Sequence, residues 1–311
     1  MMLDIVIVNW NSGKLLSDCI DSIESGNMNH VGKVIVVDNN SKDNSEILNN
    51  QSNKVILVKN PHNYGFAKSC NIGAEFCNSE FILFLNPDSV LFPNTLDETL
   101  EYMRMDDKKD IGIVGIQLLD QEGNIARHSS DFPTPLSFFL RSTGIHKILL
   151  SFDHVSSEWD HNQTREVSHV IGAFFFVRRR LYDKLNGFDE RFFIYLEDLD
   201  FSLRAKEIGY KTHFISTIQS MHIAGGVSRK IKAKRLFYSL RSRIIYSYKH
   251  FGFISSTAIM LSVILIEPFS RIMLSIKNRS FSSIKNLFKA YYLLVKWLIL
   301  WAHQHLTEDS G

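Results

Sequence analysis

Three carboxylates occur close together in the second half of the chain, directly after an apolar run. Glu197, Asp198 and Asp200 follow residues 192–196, which read FFIYL, and the pattern predicts that they lie at the beginning of a helix. Acidic residues in a first turn favour the helix through its dipole by roughly 0.3–1 kcal/mol each, which accounts for one or two of the three. The apolar run in front of them indicates the wall of a cleft, where an ionised carboxylate can serve as a general base.

A further carboxylate follows a predicted buried strand. Phe81–Leu85 is a continuous apolar run, typical of a central strand that is covered on both faces. Pro87, in the sequence Asn86-Pro87-Asp88, ends this strand because proline cannot donate to a sheet ladder. Asp88 is then expected at the carboxyl end of the strand, where open α/β sheets bind their ligands. Taken by themselves, these three residues are equally typical of an ordinary turn.

Several more polar residues and a glycine follow other predicted strands: Asn9, Asn11, Asp38, Asn63, Gly65 and Asn71. Each is weak evidence alone, because such residues are common in turns and caps. A parallel sheet would gather them along one edge, where their chemistry suits a nucleotide. Asp38 can accept the N3–H of a pyrimidine ring, and Gly65 allows the backbone to come close to a ligand. The asparagine side chains can reach the base, the ribose or a phosphate.

Two common nucleotide-binding classes are excluded by the same segments. The residues after the first predicted strand read NWNSGK, which lacks the glycine fingerprint of a dinucleotide site. The chain also has no Walker A sequence. Dehydrogenase and P-loop kinase activities are therefore not expected.

A nucleoside diphosphate requires neutralisation of its charge, usually by a divalent cation that one or two carboxylates and the phosphates hold. Asp88 is the first candidate ligand for Mg²⁺ or Mn²⁺. The second is His222, which lies in a short glycine-rich segment after a predicted strand. A single histidine serves many structural roles, so the residues alone leave both interpretations of His222 open.

Strand and helix patterns alternate in the first half of the chain. Strands are predicted at residues 3–8, 33–37, 54–58, 81–85 and 111–116, with helices at 14–25, after Asp43 or Ser45, and at 66–77 and 93–104. Further on, strands are predicted at residues 170–178 and 211–216, and a helix at 196–208. This alternation predicts right-handed βαβ units, a mostly parallel sheet and the α/β fold class. Residues 117–168 are predicted as loops with a hairpin, in a region long enough to form a substrate-binding lid.

Charge is distributed unevenly along the chain. The 311 residues carry a net charge of +2, but residues 1–228 contain 21 basic and 30 acidic residues, whereas residues 229–311 contain 14 basic and 3 acidic ones. This asymmetry predicts two domains, 1–228 and 229–311, of which the second faces an anionic partner, either nucleic acid or a membrane.

Apolar segments in the basic part favour a membrane over nucleic acid. Residues 253–266 carry no charge but are too short for a confident membrane span. Residues 287–302 combine a wide apolar arc with a narrow basic stripe, which is typical of a helix that lies in a membrane interface. We therefore expect an anionic membrane surface and no nucleic acid as a partner; oligomerisation is left open. Three cysteines and no visible signal peptide predict reduced thiols and a cytoplasmic location.

Seven segments, taken in order, resemble the glycosyltransferases of family 2, which have the GT-A fold, and most closely their rhamnosyltransferase-like branch. They are IVIVNWN, VVDNNSKDNS, NYGFAKSCNIG, FLNPDSVL, GAFFFVRR, GFDERFFIYLEDLDFSLR and HIAGGVS, and they cover residues 4 to 228. The resemblance implies a GT-A catalytic domain, and the basic helical extension that the charge and apolar patterns predict follows it. It implies that Asp38 binds a pyrimidine and that Asn86 and Asp88 replace the Asp-x-Asp motif that binds ribose and metal.

The same resemblance assigns the remaining site residues. Asp198 of the Glu197-Asp198 pair would be the catalytic base, and His222 would complete the metal or diphosphate site. The segment GAFFFVRR adds Gly172 and Ala173 to the substrate-binding residues. Because Asn86 brings an amide in place of the first acid of the motif, Asp88 is left almost alone among the carboxylates as a metal ligand.

The activity implied is an inverting transfer in surface polysaccharide synthesis. The sugar is expected to be rhamnose from dTDP-rhamnose, with a UDP-sugar as the alternative donor, and the acceptor a lipid-linked saccharide. The enzyme would then act at the inner face of the cell membrane as a peripheral protein. Two other classes remain as alternatives, namely an inactive sugar-nucleotide-binding subunit of a membrane complex and a membrane-attached structural protein.

Overall fold

The computed structural model describes residues 2–45, 52–126, 129, 131–144, 159–223 and 231–308, the last five of these by their backbone only. The chain divides into two compact units. The first consists of Met1–Phe132 and His154–Val227, and the second of Pro133–Asp153 and Ser228–Gly311. The helix predicted after Asp43 or Ser45 falls mainly in residues 46–51, outside the described part of the chain.

The first unit is built on one mixed sheet with helices on both faces. Its strands are β1 (Leu3–Asn9), β2 (Val31–Asp38), β3 (Val55–Lys59), β4 (Phe81–Leu85), β5 (Ser89–Leu91), β6 (Ile111–Leu119), β7 (Ile125–Ala126), β8 (Arg165–Val167), β9 (Phe174–Arg178) and β10 (Lys211–His222). Its α-helices are α1 (Lys14–Glu24), α2 (Phe66–Ala74), α3 (Thr95–Arg104), α5 (Arg179–Lys184) and α6 (Glu197–Glu207), and a 3₁₀ turn spans Asp106–Lys108.

Strands follow the order β3-β2-β1-β4-β9-β6-β10-β5, with β7 on β6 and β8 on β10. The neighbours from β3 to β4 are parallel, as are β6 and β10. Strand β9 lies antiparallel between β4 and β6. The α/β fold class is thus confirmed, and β9 brings the segment in front of it to the same edge of the sheet as the end of β4.

Alternation along the central strands explains their continuous apolar sequences. In β1, Ile5 and Ile7 point into a core that includes Leu16 of α1, whereas Val6 and Val8 point into a second core that includes Phe201 of α6. Because successive side chains of a strand face opposite sides, both sides of β1 require apolar residues. The same burial on both faces holds for β4.

Several predicted boundaries and elements differ from the structure. Residues 117–168 do contain the expected short hairpin, formed by β6 and β7, but they also contain the helix α4 (Pro135–Thr143), where only loops were predicted. This helix begins with a capping box between Thr134 and Ser137 and has a proline in its first turn. Strand β5 was not predicted, and β10 continues beyond residue 216 to His222 past an irregularity in its pairing with β6. The three cysteines are buried free thiols.

The second unit is helical. It comprises α4 and the helices α7 (Lys232–His250), α8 (Phe253–Leu265), α9 (Glu267–Lys277) and α10 (Phe281–Glu308). Helix α10 packs on α7 and α9 and buries Leu287, Ala290 and Leu294. The apolar arc predicted for residues 287–302 is therefore partly used inside the protein.

A further exposed apolar surface lies on α8 and α9. Its members recur at helical spacing and are between 47% and 84% exposed: Ile254, Leu261, Leu265, Phe269, Met273 and Ile276. We call this set the α8–α9 stripe. The stretch Phe253–Lys277 that contains it is also long and apolar enough to cross a membrane by length and composition, with a mean hydropathy of 1.8. One such stretch is weak evidence for a span.

Candidate active site

Helix α6 begins in a strained backbone conformation. Tyr195 and Leu196 adopt φ angles of 72° and 68°, in the left-handed region that costs residues other than glycine of order 1–3 kcal/mol each. Such strain is concentrated in functional sites. The residues that follow, Glu197 and Asp198, are the acids for which the sequence predicts catalysis.

Asp198 is held by several donors that stabilise its charge. Its Oδ2 accepts a hydrogen bond of 2.8 Å from the backbone N–H of Gly172, and its Oδ1 accepts one of 2.8 Å from that of Leu199. His169 Nε2 lies 3.4 Å from Oδ1. Burial raises the pKa of Asp198, but His169 and the two N–H donors outweigh it, so the pKa lies below its usual range. An ionised carboxylate of this kind can accept a proton at neutral pH.

The surroundings of Glu197 shift its pKa in the opposite direction. Its side chain is 4% exposed, and Oε2 has no hydrogen-bond partner among the described residues. Burial and the neighbouring charges of Asp198 and Asp200 raise the pKa of Glu197 well above its usual range. Asp200, by contrast, forms an ion pair of 2.8 Å with Arg204. Two adjacent acids whose environments move their pKa values apart are typical of acid–base sites, and here Asp198 is the one suited to be the base.

Sequence reasoning missed His169. It carries no motif of its own, and only its position three residues before Gly172 on the way into β9 could have drawn attention to it. In the structure it is 5% exposed and lies against Asp198.

Asp88 and His222 come together although they are far apart in sequence. The pairing of β5 with β10 places Ser89 opposite His222, and the backbone N–H of Ile223 donates to the carbonyl of Asp88 at 2.8 Å. As a result, His222 Nε2 lies 3.2 Å from Asp88 Oδ1. The glycine-rich residues 224–226 lie outside the described chain.

This pair fits a divalent cation as two of its ligands. A carboxylate oxygen and an imidazole nitrogen are both ordinary ligands of Mn²⁺, and carboxylates suit Mg²⁺. The described residues contain no group of three or more His, Cys, Asp or Glu side chains suited to a metal. Phosphate oxygens of a nucleotide would therefore have to supply further ligands, as they commonly do for Mg²⁺.

A short segment connects the acid pair to this second centre. Gly172 donates to Asp198, while the carbonyl of the next residue, Ala173, accepts from the N–H of Asn86 at 3.2 Å and from Ser89 Oγ at 3.2 Å. The structure thus brings Asp198 and Asp88 to one edge of the sheet through two consecutive residues, as the sequence predicts for this region.

Asp38 lies at the end of β2 in a buried polar cluster. Its Oδ1 accepts from Asn9 Nδ2 at 2.8 Å and from Ser41 Oγ at 2.5 Å, and its Oδ2 accepts from the Ser41 N–H at 3.0 Å. Asn9 is fully buried and also donates to Ser45. Asn11 Oδ1 accepts from the N–H of Lys42 at 2.7 Å. These bonds fix the loop after β2, and contact of Asp38 with a base stays a prediction.

The predicted binding residues around α2 fix the loop that carries the acids. Gly65 has φ 88°, and a Cβ there would meet the Phe193 carbonyl oxygen at 2.3 Å, so only glycine fits. Asn63 Oδ1 accepts from the Gly65 N–H at 2.9 Å. The Asn71 amide makes four hydrogen bonds, to Tyr182, to Glu190 and to both backbone groups of Phe188. In this arrangement Asn71 positions the turn before α6, and its direct contact with a ligand stays a prediction.

Comparison with known proteins identifies the class. Residues 4–185 match glycosyl transferase family 2, and the chain belongs to this family. It is therefore a glycosyltransferase, as the sequence segments predict. Its resemblance to the rhamnosyltransferase branch is also confirmed by the relatives that follow.

Similar curated proteins are enzymes of glycan synthesis. The chain is 28% identical to rhamnosyltransferase WbbL of Escherichia coli K12 over 59% of its own length and 70% of that protein. It is 23% identical to the N-acetylglucosaminyl-diphospho-decaprenol L-rhamnosyltransferase of Mycobacterium tuberculosis, with coverage of 71% and 76%. It is 24% identical to the low-salt glycan biosynthesis hexosyltransferase Agl10 of Haloferax volcanii, with coverage of 71% and 66%.

Solved structures support the fold alone. S. aureus TarS, in its shorter crystallised form, aligns with a TM-score of 0.50 and 13% identity over 94% of this chain and 92% of that one. The mannosyltransferase PcManGT of Pyrobaculum calidifontis, solved with GDP-Man and Mn²⁺, aligns with a TM-score of 0.52 and 12% identity over 94% and 86%. The predicted GT-A fold with a C-terminal helical extension is confirmed.

Proposed function

We propose that the chain is an inverting glycosyltransferase that transfers a sugar from a nucleotide donor to a lipid-linked saccharide in surface polysaccharide synthesis. The observation that carries this proposal is the geometry of the Asp198 carboxylate, which is held by the N–H of Gly172 and joined through Gly172 and Ala173 to the segment that bears Asp88. A general base and a diphosphate-binding carboxylate on the same edge of a GT-A sheet are the two groups that such a transfer requires.

In the proposed reaction, Asp198 accepts the proton of an acceptor hydroxyl as that oxygen bonds to the anomeric carbon. The bond between this carbon and the donor diphosphate breaks on the opposite side, and its electron pair leaves with the nucleoside diphosphate. Gly172 and Leu199 keep the carboxylate oriented throughout. General base catalysis of this kind contributes about 10²–10⁴ in rate.

Asp88 and His222 are the residues that would hold a divalent cation beside the donor diphosphate. A bound Mg²⁺ or Mn²⁺ would supply charge stabilisation to the departing diphosphate. Asp38 would bind the pyrimidine of the donor, with dTDP-rhamnose as the first candidate and a UDP-sugar as the alternative. The rhamnosyltransferase names of two relatives support the first of these.

We further propose that the second unit holds the enzyme at the inner face of the cell membrane as a peripheral protein. Residues 229–311 carry a net charge of +11, and the α8–α9 stripe exposes apolar side chains. Glu267 interrupts the longest apolar stretch, is 2% exposed, and forms ion pairs with Arg243 and Arg271, both at 2.7 Å. Such a buried ionic network favours a helix pair that lies in the interface over one that crosses the bilayer.

A product assay tests the proposal as a whole. The full chain is incubated with a panel of dTDP- and UDP-sugars and a membrane lipid extract, and the products are analysed by mass spectrometry. We expect one donor to give a lipid product whose mass has increased by one sugar. Tight donor binding without donor hydrolysis or any product would favour an inactive sugar-nucleotide-binding subunit instead.

A further inference from the structure

A groove of about 630 Å³ lies within the second unit, between the beginning of α7 and the first half of α10. Three lysines contribute to its lining, Lys232 and Lys234 from α7 and Lys289 from α10. Phe288 and Tyr292 line it from the same face of α10. None of the proposed catalytic or donor-binding residues belongs to this groove.

The positive charge of the groove has no counter-charge among the residues that the structure describes. None of the described lining residues is a carboxylate, and none of the three lysines makes a hydrogen bond or an ion pair within the described chain. Two arginines of the same unit, Arg243 and Arg271, do have a counter-charge, because both pair with Glu267. Like charges gathered in one concave surface repel each other, and an anionic ligand with more than one negative charge relieves that repulsion.

The aromatic residues define the rest of the ligand. Phe288 is 63% exposed and Tyr292 is 70% exposed, so the groove opens onto an apolar part of the surface of α10. Tyrosine side chains with an apolar body and a polar tip are typical of the level of lipid headgroups. Lysines with their charged ends beside such residues can extend along apolar surface towards phosphate. Lysines and exposed aromatic side chains of this kind suit an amphiphile with a multiply charged anionic head.

We propose that this groove binds the diphosphate headgroup of a membrane lipid, the group that joins the saccharide to its lipid in the acceptor. Three uncompensated ammonium groups match two adjacent phosphates better than the single phosphate of an ordinary anionic lipid. The identity of the lipid as the acceptor rests on the function proposed above, whereas the chemistry of the headgroup rests on the groove alone.

Vesicle binding tests this assignment with the full chain. Three sets of phosphatidylcholine vesicles are prepared, containing a polyprenyl diphosphate, containing phosphatidylglycerol at the same surface charge, or containing no anionic lipid. We expect binding to the diphosphate vesicles to be at least about tenfold tighter than to the charge-matched ones. Equal affinity for both charged sets would overturn the proposal, since the lysines would then act only as general surface charge.

Matched lysine variants test whether the preference for diphosphate vesicles arises in the groove. The groove variant carries Lys232→Gln, Lys234→Gln and Lys289→Gln, and the control carries Lys277→Gln, Lys285→Gln and Lys296→Gln, which remove the same charge from exposed positions outside the groove lining. Each lysine near an anionic surface contributes about 1 kcal/mol, roughly fivefold in affinity, so both variants bind all charged vesicles more weakly. Only the groove variant should lose the preference for diphosphate. Loss of the preference in the control as well would overturn the assignment, provided that thermal unfolding of both variants matches the parent.

Competition with soluble diphosphate distinguishes the two ligands that carry this anionic group, a diphosphate lipid and a free diphosphate. Inorganic diphosphate lacks the apolar chain and should displace the protein from diphosphate vesicles only at concentrations far above that of the lipid. Full displacement at equal concentration would assign the groove to a free diphosphate and overturn the lipid assignment. These binding assays contain no sugar donor, so their result is independent of the product assay described above. A protein that prefers the diphosphate lipid but makes no product in that assay overturns the proposed function and leaves the assignment of the groove intact. A protein that transfers sugar but lacks this preference overturns the assignment of the groove and leaves the proposed function intact.

Discussion

Three neighbouring acids at the start of α6 lie in three different environments. N–H donors and His169 lower the pKa of Asp198, Glu197 is buried without a partner for Oε2 in the described chain, and Asp200 is paired with Arg204. Sequence alone could select Asp198 only by family resemblance. The difference between the acids depends on residues such as Gly172 and His169, which are distant from them in sequence.

A pair of amide substitutions separates Asp198 from Glu197. Asp198→Asn keeps the shape but removes the basic site, so transfer should fall by about 10²–10⁴ while donor binding is retained. Glu197→Gln replaces a buried carboxyl group whose pKa is raised, and it should stay within about tenfold of the parent rate because Asp198, the proposed base, is unchanged. Steady-state kinetics and donor titration give both quantities. An Asp198→Asn enzyme within a few-fold of the parent would remove Asp198 from the role of base.

His169 is expected to act through Asp198 as a positioning residue. Because it lowers the pKa of Asp198, His169→Gln should raise that pKa. The base works only when ionised, so activity is lost as the pH falls through its pKa, and in the variant this loss should begin at a higher pH. The profile of kcat/KM against pH measures the shift.

The control for this experiment is His213→Gln. His213 is a partly buried histidine on β10, and its Nδ1 lies 2.8 Å from the hydroxyl of Tyr102, away from the acid pair. Its substitution should not change the pH at which kcat/KM falls on the acidic side of the profile. A His169→Gln enzyme with reduced activity but an unchanged acidic side of the profile would show that His169 supports structure only.

At the scale of elements, the strands of the parallel half were predictable because burial on both faces leaves a plain apolar signature. Strand β5 was not, since its three residues, Ser89–Leu91, are ordered by pairing with β10. Helix α4 was missed although Thr134 and Ser137 form a capping box. The apolar and polar residues around it follow no clear helical period, so the capping box alone did not indicate a helix. The meeting of Asp88 with His222 depends on the same β5–β10 pairing, which explains why a lone histidine could not be assigned by spacing.

The β5–β10 pairing, which brings Asp88 to His222, is also the basis of the predicted metal dependence. A chelator should abolish transfer, and both Asp88→Ala and His222→Ala should weaken binding of the nucleoside diphosphate product in the presence of Mg²⁺ or Mn²⁺. Isothermal titration with and without metal measures the effect, and the two variants should lose the metal-dependent part of the affinity. Full activity in chelator would mean that basic side chains neutralise the diphosphate instead.

The loop between β3 and α2 supports the acid-bearing loop through one glycine. Gly65→Ala would place a Cβ 2.3 Å from the Phe193 carbonyl, which neither backbone segment can avoid without moving. Gly123→Ala is the matched control, because Gly123 also has a positive φ of 82° but no atom within 4 Å. In the control, the free energy of unfolding should fall only by the conformational cost of a positive φ, about 1–2 kcal/mol. In Gly65→Ala the free energy of unfolding should fall further, and kcat should fall as well. Equal losses in thermal unfolding would show that the close approach is unimportant.

At the scale of the whole molecule, the chain divides into a sheet unit and a helical unit, and the helical unit is formed by two separate segments of the sequence. The division into domains 1–228 and 229–311 stays a prediction. Residues 133–153 group with residues 228–311, and Phe138 of α4 packs on Tyr246 of α7 with 5.8 Å between ring centroids. Removing everything after Ser228 would expose Phe138, so truncation is a poor test of membrane binding. Substitutions on the α8–α9 stripe are preferable because its side chains are mostly exposed.

Membrane attachment should therefore have two components that respond differently to salt. Charge attraction by the basic unit is screened at high ionic strength, whereas insertion of the α8–α9 stripe is not, so salt should release the parent only partly from anionic vesicles, and detergent fully. A variant with Leu265→Ser, Phe269→Ser and Met273→Ser should be released by salt alone. The control variant Phe76→Ser and Phe92→Ser, on exposed apolar residues of the first unit, should behave like the parent. A parent protein that ignores anionic vesicles at low salt would contradict the membrane role, and the stripe would then be tested as a contact between copies of the chain.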